Sequence, residues 1–86
     1  MAVRERKYRA MPRVDWFRIL VDLDKAGCPM KRVCHILELP PSTVNGWKNE
    51  NKEPRHGDGE RLIVLWCEWL QRQRDVLPIT HMPPWL

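Results

Sequence analysis

Ser42, Asn45, Gly46 and Asn49 stand at i, i+3, i+4 and i+7, and the apolar residues Val44 and Trp47 fall between them. On a helix this spacing gathers the first four on one side and leaves Val44 and Trp47 for the opposite side. The chemistry open to such a face is hydrogen bonding. A carboxamide both donates and accepts, so Asn45 and Asn49 each match the N6/N7 edge of adenine, while the Ser42 hydroxyl suits several bases. Gly46 costs about 1 kcal/mol relative to Ala in a helix interior, and close approach of another backbone would account for it. The alternative is an ordinary solvated face with an ill-placed glycine.

Other chemistry is poorly provided for. Cys28, Cys34 next to His35, and Cys67 show neither CxxC nor HxxxH spacing, so no metal site is expected. His56 and His81 fall in expected loops and His35 on the outer side of its helix, with no nucleophile or paired carboxylates nearby. There is no Gly-rich phosphate loop either. Neither catalysis, nor a cofactor, nor a small-molecule ligand is expected. The three cysteines are odd in number and read as reduced, buried thiols.

The elements that must hold the polar face are helical. Trp16, Ile19, Leu20 and Leu23 make the stripe of an amphipathic helix over about 14–26, and Gly27 suits the left-handed position that ends it. Pro29 opens a second helix to about Glu38, burying Val33, Cys34 and Leu37, which Leu39-Pro40-Pro41 stops. Pro41 starts a third helix of barely two turns through Asn49. Residues 50–59, with Pro54, Gly57 and Gly59, read as a loop. Asp58 is the expected cap of a fourth helix running to about Arg74, with Leu62, Leu65, Trp66, Trp69 and Leu70 inward. At that spacing Trp66 and Trp69 read as core rather than as base-stacking platforms. Few β-branched residues alternate, so little points to a sheet.

Composition agrees with one small folded unit. The chain has 86 residues, 43% hydrophobic and 30% charged, which is globular and leaves room for a single core. The longest apolar run, Leu62 to Cys67, is far short of the roughly 20 residues that cross a bilayer, and the N-terminus lacks the apolar stretch of a secretory signal. No membrane association and a cytoplasmic location, in a prokaryotic host cell or its nucleoid, are expected. Charge is unevenly placed. Residues 1–13 hold Arg4, Arg6, Lys7, Arg9 and Arg13 against Glu5 alone, so they account for the whole net charge of +4. Such an arm suits a polyanion, because each neutralised phosphate releases counterions; a solvated tail is the alternative.

The second helix, its tight turn and the short third helix together resemble the helix-turn-helix of the lambda-repressor and Cro family. The resemblance runs from about Val14 to Leu70 and is carried by Ala26-Gly27-Cys28-Pro29-Met30, Val33-Cys34, Leu37, Leu39, Ser42-Thr43-Val44, Trp47 and Pro54. In that family a small residue stands where Cys34 does, letting the two helices approach, and apolar residues such as Leu39, Val44 and Trp47 lock the corner. Three positions depart from the pattern. Glu38 replaces the usual turn Gly, so the backbone there adopts a different turn or bears strain. Met30 replaces a DNA-contacting Gln, and Pro40-Pro41 replaces a Ser-led cap, removing two N–H groups that could meet a phosphate.

The resemblance implies an all-α, compact four-helix helix-turn-helix domain over 14–75, between a basic arm over 1–13 and a Pro-rich apolar tail over 76–86. It implies sequence-specific binding of double-stranded DNA, as a phage or mobile-element transcriptional regulator. Base reading falls to Ser42, Asn45, Gly46 and Asn49. Phosphates fall to Lys31, Arg32, Lys48, Lys52 and Arg55, and to Arg4, Arg6, Lys7 and Arg9 of the arm, along the backbone or in the minor groove. A packaging or replication accessory protein, and a helical module acting on a host protein without DNA, are the alternatives. A homodimer is expected, because a two-turn helix reads few base pairs. Its expected interface is the fourth helix with the tail residues Leu77, Ile79, Met82, Trp85 and Leu86, the tail being favoured over the fourth helix alone because no helical stripe commits its apolar residues to their own core; folding back in cis is the other reading.

Overall fold

The computed structural model describes residues 13–80. Four helices, α1 (Trp16–Lys25), α2 (Met30–Leu37), α3 (Pro41–Asn49) and α4 (His56–Leu70), are followed by a 3-10 turn at Arg74–Val76. A short antiparallel ribbon pairs β1 (Arg13–Val14) with β2 (Ile79–Thr80), in register Arg13 with Thr80 and Val14 with Ile79. Among the described residues no helix is long and apolar enough to cross a membrane.

Each helix starts and stops for a local reason. Asp15 caps α1, its Oδ1 accepting from the Arg18 N–H at 3.1 Å. Gly27, at φ 92°, turns the chain left-handed so that the Cys28 N–H reaches the Leu23 carbonyl at 2.7 Å. Pro29 and Pro40, both extended, precede α2 and α3, and Pro41 fills the first position of α3, where no N–H is needed. Gln71, at φ 52°, closes α4 with the Arg72 N–H on the Cys67 carbonyl at 3.0 Å.

α1 packs on α3 and α4, and α2 on α1, α3 and α4. The core so enclosed consists of Ile19, Leu20, Leu23, Cys28, Val33, Cys34, Leu37, Val44, Trp47, Leu62, Ile63 and Trp66. Full burial of one aliphatic side chain is worth about 1.5–3 kcal/mol. Trp66 has no exposed surface, and its indole N–H donates to Asp22 at 3.3 Å, so the largest core residue leaves no polar atom unsatisfied.

Several expectations are corrected. The ribbon is a sheet where none was expected: two-residue strands carry no periodicity and exist only through each other. Asp58 does not cap α4, which begins two residues earlier after extended Arg55; Asp58 lies in its first turn, 3.6 Å from Arg61. α4 ends at Leu70 rather than near Arg74, because Gln71 turns left-handed and Arg74 instead grips Glu60 with two 2.7 Å hydrogen bonds. Ile63, not singled out in the sequence, is buried, while Leu65, Trp69, Leu70 and Cys67 are only partly so. The Trp69 indole N–H satisfies the Ala26 carbonyl at 2.9 Å.

Candidate nucleic-acid interface

The α2–α3 corner is set by Glu38. It occupies the left-handed region at φ 55°, ψ 47°, so the chain makes the glycine-type turn with a side chain present and bears the strain. The Leu39 N–H closes on the Cys34 carbonyl at 3.0 Å, and the Arg61 guanidinium donates to the Leu37 carbonyl at 2.7 Å. Orphan carbonyls at the end of α2 are thereby satisfied from two directions.

With Val44 and Trp47 buried, the free side of α3 carries Pro41, Ser42, Asn45, Lys48 and Asn49. Ser42 and Asn49 are exposed and Asn45 is half-buried. The Asn49 amide donates to the Asn45 carbonyl oxygen at 2.6 Å. α3 contains no acidic residue.

Gly46 is not part of this face. It is buried, its carbonyl accepts from the N–H groups of Glu50 and Lys52 at 3.1 Å each, and a Cβ there would lie 3.1 Å from Lys52 Cδ. The methylene stem of Lys52 folds back over the helix, so a lysine stem explains the glycine without any ligand backbone. Base reading by Gly46 is thus corrected: it has no surface to offer.

The expected phosphate contacts are unequal. Lys31 is exposed in the first turn of α2. Arg32 is exposed too, but its guanidinium lies over the Trp69 ring at 5.8 Å, which draws it toward α4. Lys48 is half-buried beside Asn45, Lys52 is 3.2 Å from Glu50, and Arg55 is exposed just before α4. An exposed pair such as Lys52 with Glu50 is worth at most about 1 kcal/mol, so it yields readily to a phosphate. Arg4, Arg6, Lys7 and Arg9 lie outside the described residues.

No family model matches this chain, and no curated protein or solved structure matches it significantly.

Phe17 and Thr80, which the sequence did not mark, gather with residues that it did at the far end of α3. Arg13, Phe17 and Thr80 join Trp47, Lys48 and Asn49 around a cleft of about 280 Å³, and Phe17 is 51% exposed. Arg13 is held there by Glu53 through contacts of 2.6–2.7 Å. The chain leading to the basic arm therefore departs beside Lys48 and Asn49. An aromatic residue breaking the polar side of an amphipathic helix was the available signal for Phe17.

The tail divides. Leu77 packs against the core of its own chain and the Pro78 carbonyl accepts from the Asp15 N–H at 2.9 Å, whereas Ile79 stays exposed. Met82, Trp85 and Leu86 lie outside the described residues. For Leu77 the expectation of a free, uncommitted apolar residue is corrected, since the ribbon returns the tail to α1. Among the described residues no group of three or more His, Cys, Asp or Glu side chains could hold a metal ion. Burial pushes the Cys28 and Cys34 thiols above their ordinary pKa, which leaves them unreactive as nucleophiles.

Proposed function

We propose that the chain is a helix-turn-helix protein of the Cro and lambda-repressor type that binds double-stranded DNA with α3 in the major groove. The observation that carries this reading is the free side of α3, where two amides and a hydroxyl stand together with Lys48 and without any carboxylate. A major groove admits one helix, and its base edges answer to Asn and Ser. Lys31, Lys52 and Arg55 supply charge on either side. The net charge of residues 1–13 supplies further phosphate contacts in this reading. The role supported is that of a small phage or mobile-element transcriptional regulator acting as a homodimer.

Titration of labelled duplexes tests this. Log affinity should fall linearly with log salt, with a slope of about −0.9 per phosphate contact, and selection from a random duplex pool should return one recurring site. Removing residues 1–12 should weaken binding to all duplexes alike and flatten that slope while the site preference survives. Absence of duplex binding even at low salt would falsify the reading.

A further inference from the structure

α4 commits one side to the core, through Leu62, Ile63 and Trp66. On its other side Val64 is 49% exposed and Leu65 half-buried, and across a shallow groove of about 370 Å³ Ile36 of α2 is 39% exposed. Three charges border this groove: Glu60, which Arg74 already holds, Arg61 three residues before Val64, and Glu68 three residues after Leu65. Arg61 and Glu68 are two helical turns apart and so share one stripe of α4.

Such a stripe is complementary to itself. If a second α4 is laid antiparallel about a two-fold axis between Val64 and Leu65, every residue faces the one equally far beyond the axis. Val64 meets the partner's Leu65, and Arg61 meets the partner's Glu68, once at each end. Both charges are able to engage. Glu68 is exposed, with no Lys or Arg in salt-bridge range among the described residues, and the Arg61 side chain is half-exposed beyond its contacts to Leu37 and Asp58.

We propose that the α2–α4 groove is where a second copy of this chain docks, through an antiparallel α4 pair with its axis between Val64 and Leu65. The apolar residues Ile36, Val64 and Leu65 form the centre of that contact, and the two Arg61–Glu68 pairs fix its direction and register. Docking here leaves the free side of α3 uncovered and does not require the tail. The inference rests on the homodimer of the proposed function and names its surface; because association is measured without DNA, this dimer can fail while duplex binding holds, and the reverse.

Sedimentation equilibrium of the full chain, with circular dichroism to verify folding, tests it. The wild type should dimerise at micromolar concentration. Glu68→Arg and Arg61→Glu should each weaken the dimer by about tenfold or more, since like charges then meet at both ends. An equimolar mixture of these two variants should recover association, because acid again faces base at both ends. Val64→Asp should abolish the dimer. If Arg61→Glu fails to fold, Glu68→Arg and Val64→Asp decide, both lying on exposed positions. A wild type that stays monomeric at hundreds of micromolar overturns the proposal. So does a dimer unaffected by Glu68→Arg and Val64→Asp, or a mixture of folded variants that recovers nothing.

Discussion

Asn49 donates its side-chain amide to the Asn45 carbonyl oxygen at 2.6 Å, one turn away on the free side of α3. This bond orients the two carboxamides together, leaving the Asn45 amide as donor and the Asn49 oxygen as acceptor for a ligand. A donor beside an acceptor is the complement of the adenine edge. Asn45→Ala and Asn49→Ala should each lose about 1–3 kcal/mol of discrimination between the selected duplex and a scrambled one. In the double variant the losses should fall short of their sum by at least about 0.5 kcal/mol, because each residue positions the other. Strictly additive losses would show that the amides act separately.

Glu38 holds a left-handed conformation that costs a non-glycine residue roughly 1–2 kcal/mol, while glycine's extra freedom in the unfolded chain offsets about half of that. Glu38→Gly should therefore raise the unfolding free energy by about 0.5–1 kcal/mol in urea titration. Glu38→Val should lower it. A destabilised glycine variant would mean that the Glu38 side chain contributes more than its backbone costs.

Gly46→Ala places a methyl group 3.1 Å from Lys52 Cδ, the middle of a flexible and exposed side chain that can move aside. The helix propensity gained should then prevail, stabilising the fold by about 0.5–1 kcal/mol with discrimination between duplexes unchanged, because moving Lys52 alters only a sequence-independent phosphate contact. If duplex binding collapsed while stability rose, Gly46 would belong to the ligand surface after all.

Cys28 and Cys34 are buried, and desolvation raises both thiol pKa values from 9.0. The unfolded chain therefore loses thiol protons at a pH where the fold still keeps them, so this contribution makes stability fall as pH rises past about 9. Cys28→Ala with Cys34→Ala should flatten that alkaline decline, as read from unfolding midpoints. At pH 8 a thiol reagent should label half-buried Cys67 first and reach Cys28 only on unfolding. Equal labelling rates would contradict the burial of Cys28.

Much of the local architecture was legible in residue order. The stripe Ile19, Leu20, Leu23 marked α1 and its inner side, Gly27 its left-handed end, and Pro41 the start of α3. These signals are local, since helical periodicity, proline's missing N–H and glycine's missing Cβ act within a few residues. The inward side of α3 followed in the same way from Val44 and Trp47, and with it the free side bearing Ser42, Asn45 and Asn49.

Tertiary structure alone decided the rest. Gly46 has the spacing of a surface position, yet Lys52, beyond the end of α3, folds back over it; a long amphipathic side chain has no fixed address in sequence. Arg13–Val14 and Ile79–Thr80 have no pattern of their own, and their ribbon arises because the fold brings the two segments together at the start of α1, where the Asp15 N–H meets the Pro78 carbonyl. Turn geometry at Glu38 was likewise settled by the corner, where the packing of α2 on α3 outweighs the strain of one residue. Short-range preferences fixed which segments become helices, whereas long-range burial determined which polar residues remain free to meet a partner.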